Sequence, residues 1–135
     1  ADFRFENLEV WKMATEIGHR IADLADGIDS LGKTAFANRL RECSYLISGI
    51  LAEGSSCPTK PEFAVFVGRA RGATLEIANL IIFFSDRELI SEEDETNLVN
   101  MLIDEVVVTA QSTGDPSAPA TPTPSEPRFS FKFNL

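Results

Sequence analysis

A chain of 135 residues with 44% apolar content has the size and composition of one compact domain with a single core. Its formal net charge of −9 argues against a surface that binds nucleic acid or anionic membranes indiscriminately. Two cysteines without CxxC spacing exclude a disulfide-rich scaffold, and reduced thiols are expected. We expect no signal peptide, and the apolar run IANLIIFF at 77–84 is too short to span a bilayer. We therefore expect a cytoplasmic protein without membrane contact.

Two amphipathic helices are predicted in the first part of the chain. The first covers about residues 7–26, with Asn7 placed to cap it and the segment GIDSLG at 27–32 interrupting the pattern. The second ends at Gly54, and its apolar residues follow at steps of four, three, four and three. The apolar positions of the first are Leu8, Trp11, Ile17, Ile21, Leu24 and Ile28, and those of the second are Phe36, Leu40, Cys43, Ile47 and Ile50.

A third helix is predicted to open at Thr59, whose side chain can accept a hydrogen bond from the backbone N–H of Glu62. Pro61 stands where no backbone N–H is needed. The apolar residues of this third helix lie in two rows, which predicts burial on two sides of the helix. The rows are Phe63, Phe66 or Val67, Ala70, Thr74, Ile77, Ile81 and Phe84, and Leu75, Ala78 and Ile82.

A fourth helix is predicted to start at Ser91, with Asp94 three residues on as in a capping box. Its inward stripe is Leu98, Met101 or Leu102, and Val106, and its polar face is almost wholly acidic. Residues 88–110 contain no Lys or Arg and carry much of the negative charge, on Glu88, Glu92, Glu93, Asp94, Glu95, Asp104 and Glu105.

Four helices joined by short turns predict an all-α fold, an antiparallel up-down four-helix bundle formed by residues 1–110. Residues 111–128 are rich in Pro, Ser and Thr and are expected to form an extended linker. In residues 129–135 apolar and polar residues alternate, which places the apolar side chains on one face of a strand-like peptide. We expect this peptide to dock through Phe129, Phe131, Phe133 and Leu135.

No set of residues predicts catalysis, a cofactor or a metal. Glu16 and His19 spell the E-x-x-H of di-iron bundles, but such a site needs the motif on two helices, and the chain has one histidine. Cys57 has no base to activate it, and Cys43 lies on an apolar seam. The glycines of the segment GRARGA at 68–73 sit inside a helical pattern rather than in a phosphate-binding loop. We predict that the protein is not an enzyme.

Positive charge is concentrated on the second and third helices. One interpretation is a nucleic-acid contact, strengthened if copies of the chain repeat around a ring. The alternative, which we favour, is that these cations pair with Glu42, Glu53, Glu62 and Glu76. In particular, we predict one polar network of Glu53, Arg71 and Glu76 at a contact between helices or subunits. The cations are Arg39, Arg41, Lys60, Arg69 and Arg71.

Three segments resemble a family of bacterial four-helix-bundle proteins encoded in intervening sequences of large-subunit ribosomal RNA genes. They are FENLEVWKMA at 5–14, RLRECSYLISGILAEGSSCPTKPEFAVFVGRARGATLEIAN at 39–79, and ELISEEDETNLVNMLIDEV at 88–106. The resemblance implies a homopentameric ring, and a distant similarity to the accessory variability determinant of diversity-generating retroelements, which binds a reverse transcriptase and nucleic acid. The chain departs from that determinant in being acidic, and residues from 111 onward lie outside the family pattern.

These observations favour a non-catalytic, homo-oligomeric scaffold or adaptor whose C-terminal peptide engages a neighbouring subunit or a partner protein. The alternative is an accessory protein that binds structured RNA through the arginines of the second and third helices.

Overall fold

A computed structural model describes residues 3–112, and this part of the chain is helical, with no strand. The linker was predicted at 111–128, but its first two residues, 111 and 112, are helical. Its remaining residues and the peptide at 129–135 lie outside the described residues. A short 3-10 turn at Arg4–Asn7 precedes five α-helices, which are α1 Glu9–Asp29, α2 Thr34–Cys43, α3 Leu46–Gly54, α4 Lys60–Asp86 and α5 Glu92–Ser112.

The helices pack as a bundle around one apolar core. Helix α1 contacts α2, α3 and α5, while α4 contacts α3 and α5. The rings of Phe36 and Phe84 meet edge to face, with 5.5 Å between their centroids, and so connect α2 with α4. The apolar stripes predicted from the sequence supply this core, whose largest fully buried side chains include Ile17, Ile21, Ile28, Leu40, Leu51, Ile77, Ile81, Phe84, Leu98 and Leu102.

Helix α1 differs from its prediction at both ends. Asn7 does not cap it: this residue belongs to the 3-10 turn, and the N-cap position is Leu8, which makes no side-chain capping bond. Instead the ring of Phe5 packs against Trp11 at 5.1 Å between centroids, which fixes the entry of the chain.

The other end of α1 continues past Gly27 to Asp29. A glycine inside a helix costs about 1 kcal/mol relative to alanine. Burial of an isoleucine contributes about 1.5–3 kcal/mol, and Ile28 is fully buried. The chain turns only at Gly32, whose φ of 76° lies in the left-handed region.

The second predicted helix is in fact two helices, because the backbone breaks at Ser44 and Tyr45 between α2 and α3. The Ser44 hydroxyl donates a hydrogen bond of 2.7 Å to the carbonyl oxygen of Arg41. The Ser44 carbonyl lies directly against Gly18 of α1, where a Cβ atom would overlap it. The regular apolar spacing continues across the break, and therefore the spacing alone does not reveal it.

The turn between α3 and α4 agrees with the prediction. Helix α3 ends at Gly54, which packs so closely on the side chain of Phe66 that a Cβ atom would overlap it. The N–H of Glu62 donates to the Thr59 hydroxyl at 3.3 Å. The corresponding cap of α5 is also confirmed, since the N–H of Asp94 donates to the Ser91 hydroxyl at 3.1 Å.

The contact between Gly18 and the Ser44 carbonyl yields a stability prediction. Gly18→Ala is expected to lower the free energy of unfolding by about 1–3 kcal/mol, because the new methyl group forces α1 away from the junction of α2 and α3. Gly27→Ala is the matched control in the same helix: no atom lies within 4 Å of its Cβ position. This control is expected to stabilise by about 0.5–1 kcal/mol. Urea denaturation followed by circular dichroism measures both, and equal effects would contradict the proposed contact.

Candidate functional site

The two cysteines lie in different surroundings. Cys43 is buried on α2, and its sulfur accepts an N–H of Arg39 at 3.8 Å. Burial raises the pKa of the Cys43 thiol, although the nearby Arg39 guanidinium acts to lower it. Cys57 is partly exposed in the turn before α4, and His19 is exposed on α1. Within residues 3–112, no group of three or more His, Cys, Asp or Glu side chains is arranged to hold a metal ion.

Two of the five predicted nucleic-acid-contacting cations are held by carboxylates. Arg41 binds Asp26 at 2.8 Å and also Asp29, both near the end of α1. These hydrogen bonds raise the pKa of Arg41, and they connect α2 to α1. Arg39 pairs with Glu42 at 3.5 Å, which is one of the pairings favoured from the sequence. The acids that bind Arg41 were not among those predicted.

The other three cations lie on α4 and are exposed. The guanidinium of Arg69 stands over the ring of Phe66, 5.1 Å from its centroid. Lys60 and Arg71 take part in none of the ion pairs found among residues 3–112. A nucleic-acid contact by these side chains stays a prediction.

The predicted polar network of Glu53, Arg71 and Glu76 does not form ion pairs within one protomer. All three side chains are exposed, and no salt bridge in the described part of the chain joins any two of them. A network of these three residues between subunits stays a prediction.

A groove of about 670 Å³ lies between the α2–α3 segment and α4. Its lining is apolar at Cys43, Leu46, Leu75, Ile77 and Leu80, and polar at Arg39, Glu42, Glu76 and Asn79. Two large side chains in the lining, Leu46 and Leu75, are 37% and 39% exposed. Tyr45 beside Leu46, and Phe83 one turn beyond Asn79, are 68% and 53% exposed. We call the surface formed by Tyr45, Leu46, Leu75, Leu80 and Phe83 the α3–α4 face.

The buried carboxyl of Glu105 was not singled out from the sequence. Its side chain is fully buried in α5, and neither carboxyl oxygen has a hydrogen-bond partner among residues 3–112. The signal was present in the spacing: positions 95, 98, 102, 105 and 109 step by three and four along one face of α5, and all five are buried. Glu95, at the start of this row, accepts a hydrogen bond from the Ser85 hydroxyl at 2.7 Å.

Burial raises the pKa of Glu105 from 4.5 to about 8. The carboxyl is therefore neutral near pH 7, since an unpaired charge in an apolar core is strongly disfavoured. An aliphatic residue at this position would bury no polar atom, and the glutamate accordingly lowers the stability of the fold. A buried residue that lowers the stability of the fold is typical of a position that serves a purpose other than packing.

The family model described as 23S rRNA-intervening sequence protein matches residues 6–108. The chain belongs to this family. The match includes all of α1 to α4 and most of α5, so the surfaces described above lie on the family domain.

Comparison with curated proteins and with solved structures finds no match to this chain. No helix in residues 3–112 has both the length and the apolar character that a membrane span requires.

The buried carboxyl predicts an unusual dependence of stability on pH. The pKa of Glu105 is higher in the folded protein than in the unfolded chain. At a pH between these two pKa values, unfolding therefore releases a proton. Stability should therefore fall as the pH rises from about 4.5, with the loss complete above about 8. Each pKa unit corresponds to about 1.4 kcal/mol.

Glu105→Leu should remove this dependence and stabilise the protein at pH 8.5 by on the order of 3 kcal/mol. Glu93→Gln, which neutralises an exposed carboxylate in the same helix, is the control and should keep the wild-type slope. Urea denaturation at pH 5.5 and 8.5 measures the difference. A Glu105→Leu protein with the same slope as wild type would show that Glu105 ionises normally.

Proposed function

We propose that this chain is a non-catalytic cytoplasmic scaffold that assembles with copies of itself into a closed ring. In this proposal the helices form an antiparallel up-down bundle, and the peptide at 129–135 engages a neighbouring subunit or a partner protein. The observation that carries the proposal is the α3–α4 face, where large apolar side chains are exposed beside a groove.

Apolar exposure on this face is concentrated rather than scattered. Single exposed leucines are normal on a protein surface, but a contiguous apolar patch is typical of an interaction site. Leu46 and Leu75 come from different helices and line the same groove. Full burial of a leucine contributes about 1.5–3 kcal/mol, so a contact that covers both from each copy gains appreciable stability.

The charges around the α3–α4 face favour a second copy of the chain as the occupant. Arg39, Glu42 and Glu76 line the groove, so that both signs of charge are present on one surface. Arg71 lies one turn before Leu75 on α4 and has no ion pair within residues 3–112. In the assembly that we propose, Arg71 of one copy pairs with Glu53 or Glu76 of the next. Because the two partners of such a pair lie at different positions on each copy, the contact joins different patches, and its repetition closes a ring when the rotations between copies add up to a full turn.

The resemblance to family members that form homopentameric rings favours five copies. The family match spans the residues that form the α3–α4 face, whereas the C-terminal peptide lies beyond it. We therefore assign assembly to the family domain and partner contact to the peptide.

Substitution on the α3–α4 face tests the assembly. Leu46→Asp combined with Leu75→Asp should reduce the particle mass to that of one protomer, because each aspartate places a charge in the subunit contact. Helical content should be unchanged, since both side chains are already exposed in the protomer. Sedimentation velocity and circular dichroism measure the two quantities.

Leu31→Asp is the matched control, because Leu31 is also an exposed leucine, at 57%, but lies in the turn after α1 and outside this face. It should leave the mass of the assembly unchanged. A wild-type protein that sediments as a single protomer at micromolar concentration would refute the ring.

The second candidate is an accessory protein that binds structured RNA. It is supported by Lys60, Arg69 and Arg71, three exposed cations on one helix that form no ion pair in the described residues. Against it stand the net charge of −9 and the carboxylates that hold Arg39 and Arg41.

An electrophoretic shift with a structured RNA distinguishes this second function. If it is correct, replacing Lys60, Arg69 and Arg71 by alanine should abolish the shift, and higher salt should weaken it. Replacing Arg39 and Arg41 should have less effect, because their charges are already balanced. No shift at low salt would exclude it.

A further inference from the structure

A second surface of the bundle lies between α1 and α5, and it differs from the α3–α4 face in being mainly acidic. Two adjoining hollows of about 280 and 330 Å³ lie there, and Arg20 and Met101 line both of them. We call them together the α1–α5 groove. The remaining lining residues are Met13, Glu16, Ile17, Asp23, Leu24, Asp94, Asn97, Leu98 and Asp104.

The lining of this groove is apolar at its base and acidic at its rim. Ile17 and Leu98 are buried, while Met13, Leu24 and Met101 are half-buried. Methionine side chains are flexible and polarisable, and they adapt well to aromatic ligands. Among the described residues, Arg20 is the only Lys or Arg in the lining, against the carboxylates of Glu16, Asp23, Asp94 and Asp104. The groove therefore suits a ligand that is apolar on one side and positively charged.

One segment of the same chain has these properties. Residues 128–135 read RFSFKFNL, with Arg128 and Lys132 as the charged residues and no acid. In an extended peptide the phenylalanines at alternate positions share one face, and Lys132 lies on the other. The α3–α4 groove is a poorer match in charge, because its lining sets only two carboxylates, Glu42 and Glu76, against Arg39.

The chain is long enough to bring this segment to the groove. From Ser112 back to Asp94, α5 spans about 27 Å at 1.5 Å per residue. Residues 113–127, if extended as a proline-rich linker, reach about 45 Å. The eight residues that follow, 128–135, reach about 26 Å, and Asp94 lies about 15 Å from Asp104 along the helix. The groove of the same protomer is therefore within reach.

We propose that the α1–α5 groove is the binding site of residues 129–135. The phenylalanine side chains lie against Met13, Met101 and the buried base, and Lys132 and Arg128 face the acidic rim. This inference rests on the part of the proposed function that makes the C-terminal peptide a docking element, and it names the surface that receives it.

The two methionines of the sequence provide the test, because Met13 and Met101 both line the groove. The full-length chain is labelled with ¹³C at the methionine methyl groups, and its spectrum is compared with that of the Phe129→Ser/Phe131→Ser/Phe133→Ser variant. Aromatic rings packed on the methionines move both methyl signals upfield, and the variant should lose this displacement. Identical methyl positions in the two proteins would overturn the proposal.

Charge variants separate binding in this groove from indirect effects. Arg128→Glu with Lys132→Glu, and separately Glu16→Gln with Asp94→Asn, should each move the methyl signals toward the positions of the phenylalanine variant. Added salt should act in the same direction. The matched control is Glu42→Gln with Glu76→Gln, which neutralises two carboxylates of the other groove and should leave both signals in place. Methyl signals displaced as far by this control as by the two pairs of charge variants would show an indirect effect and overturn the proposal.

Particle mass distinguishes failure of this inference from failure of the ring. A phenylalanine variant that loses the upfield shifts while keeping the mass of the assembly supports docking in the groove independently of assembly. Upfield shifts that persist in the protomeric Leu46→Asp/Leu75→Asp variant support docking within one chain, and shifts that disappear there support docking between copies.

Discussion

The close approach of α3 to its two neighbours is the contact on which the rest of the fold depends. Gly18 allows α1 to lie against the Ser44 carbonyl, and Gly54 allows the end of α3 to lie against Phe66 of α4. A side chain at either position would separate helices whose buried faces must interlock at the density of an organic crystal. Because α3 lies between α1 and α4, this approach also determines how the α3–α4 groove is shaped and which leucines it exposes.

Much of the helical fold was predictable from the sequence, since apolar spacing and capping residues act locally. Thr59 and Ser91 cap as expected, and the apolar rows supply the core. The break at Ser44 was not predictable, because the approach of another helix causes it and the apolar spacing runs through it undisturbed. The continuation of α1 past Gly27 likewise depends on the burial of Ile28, which outweighs a local preference.

The candidate sites were harder to predict, because they depend on which side chains the packing leaves exposed or buried. Residue type assigns Glu105 to the acidic face of α5, whereas its position in the row that contains Leu98 and Leu102 assigns it to the core. The position in the row decides that Glu105 is buried, because a helix packed against its neighbours cannot rotate to expose one residue. The cations on α2 illustrate the same limit: the sequence identified Arg41 but not Asp26 and Asp29, which lie across a helix contact.

The uneven distribution of charge links the two proposed surfaces. Helix α5 contains no Lys or Arg and six acidic residues, so the α1–α5 side of each protomer repels the same side of another copy and any polyanion. The α3–α4 face carries both signs of charge and exposed leucines, and it shares no helix with the α1–α5 groove. The self-association that we propose through α3 and α4 would therefore leave the acidic groove open to solvent. In this proposal a positively charged, aromatic segment such as residues 128–135 is attracted to the surface that assembly does not use.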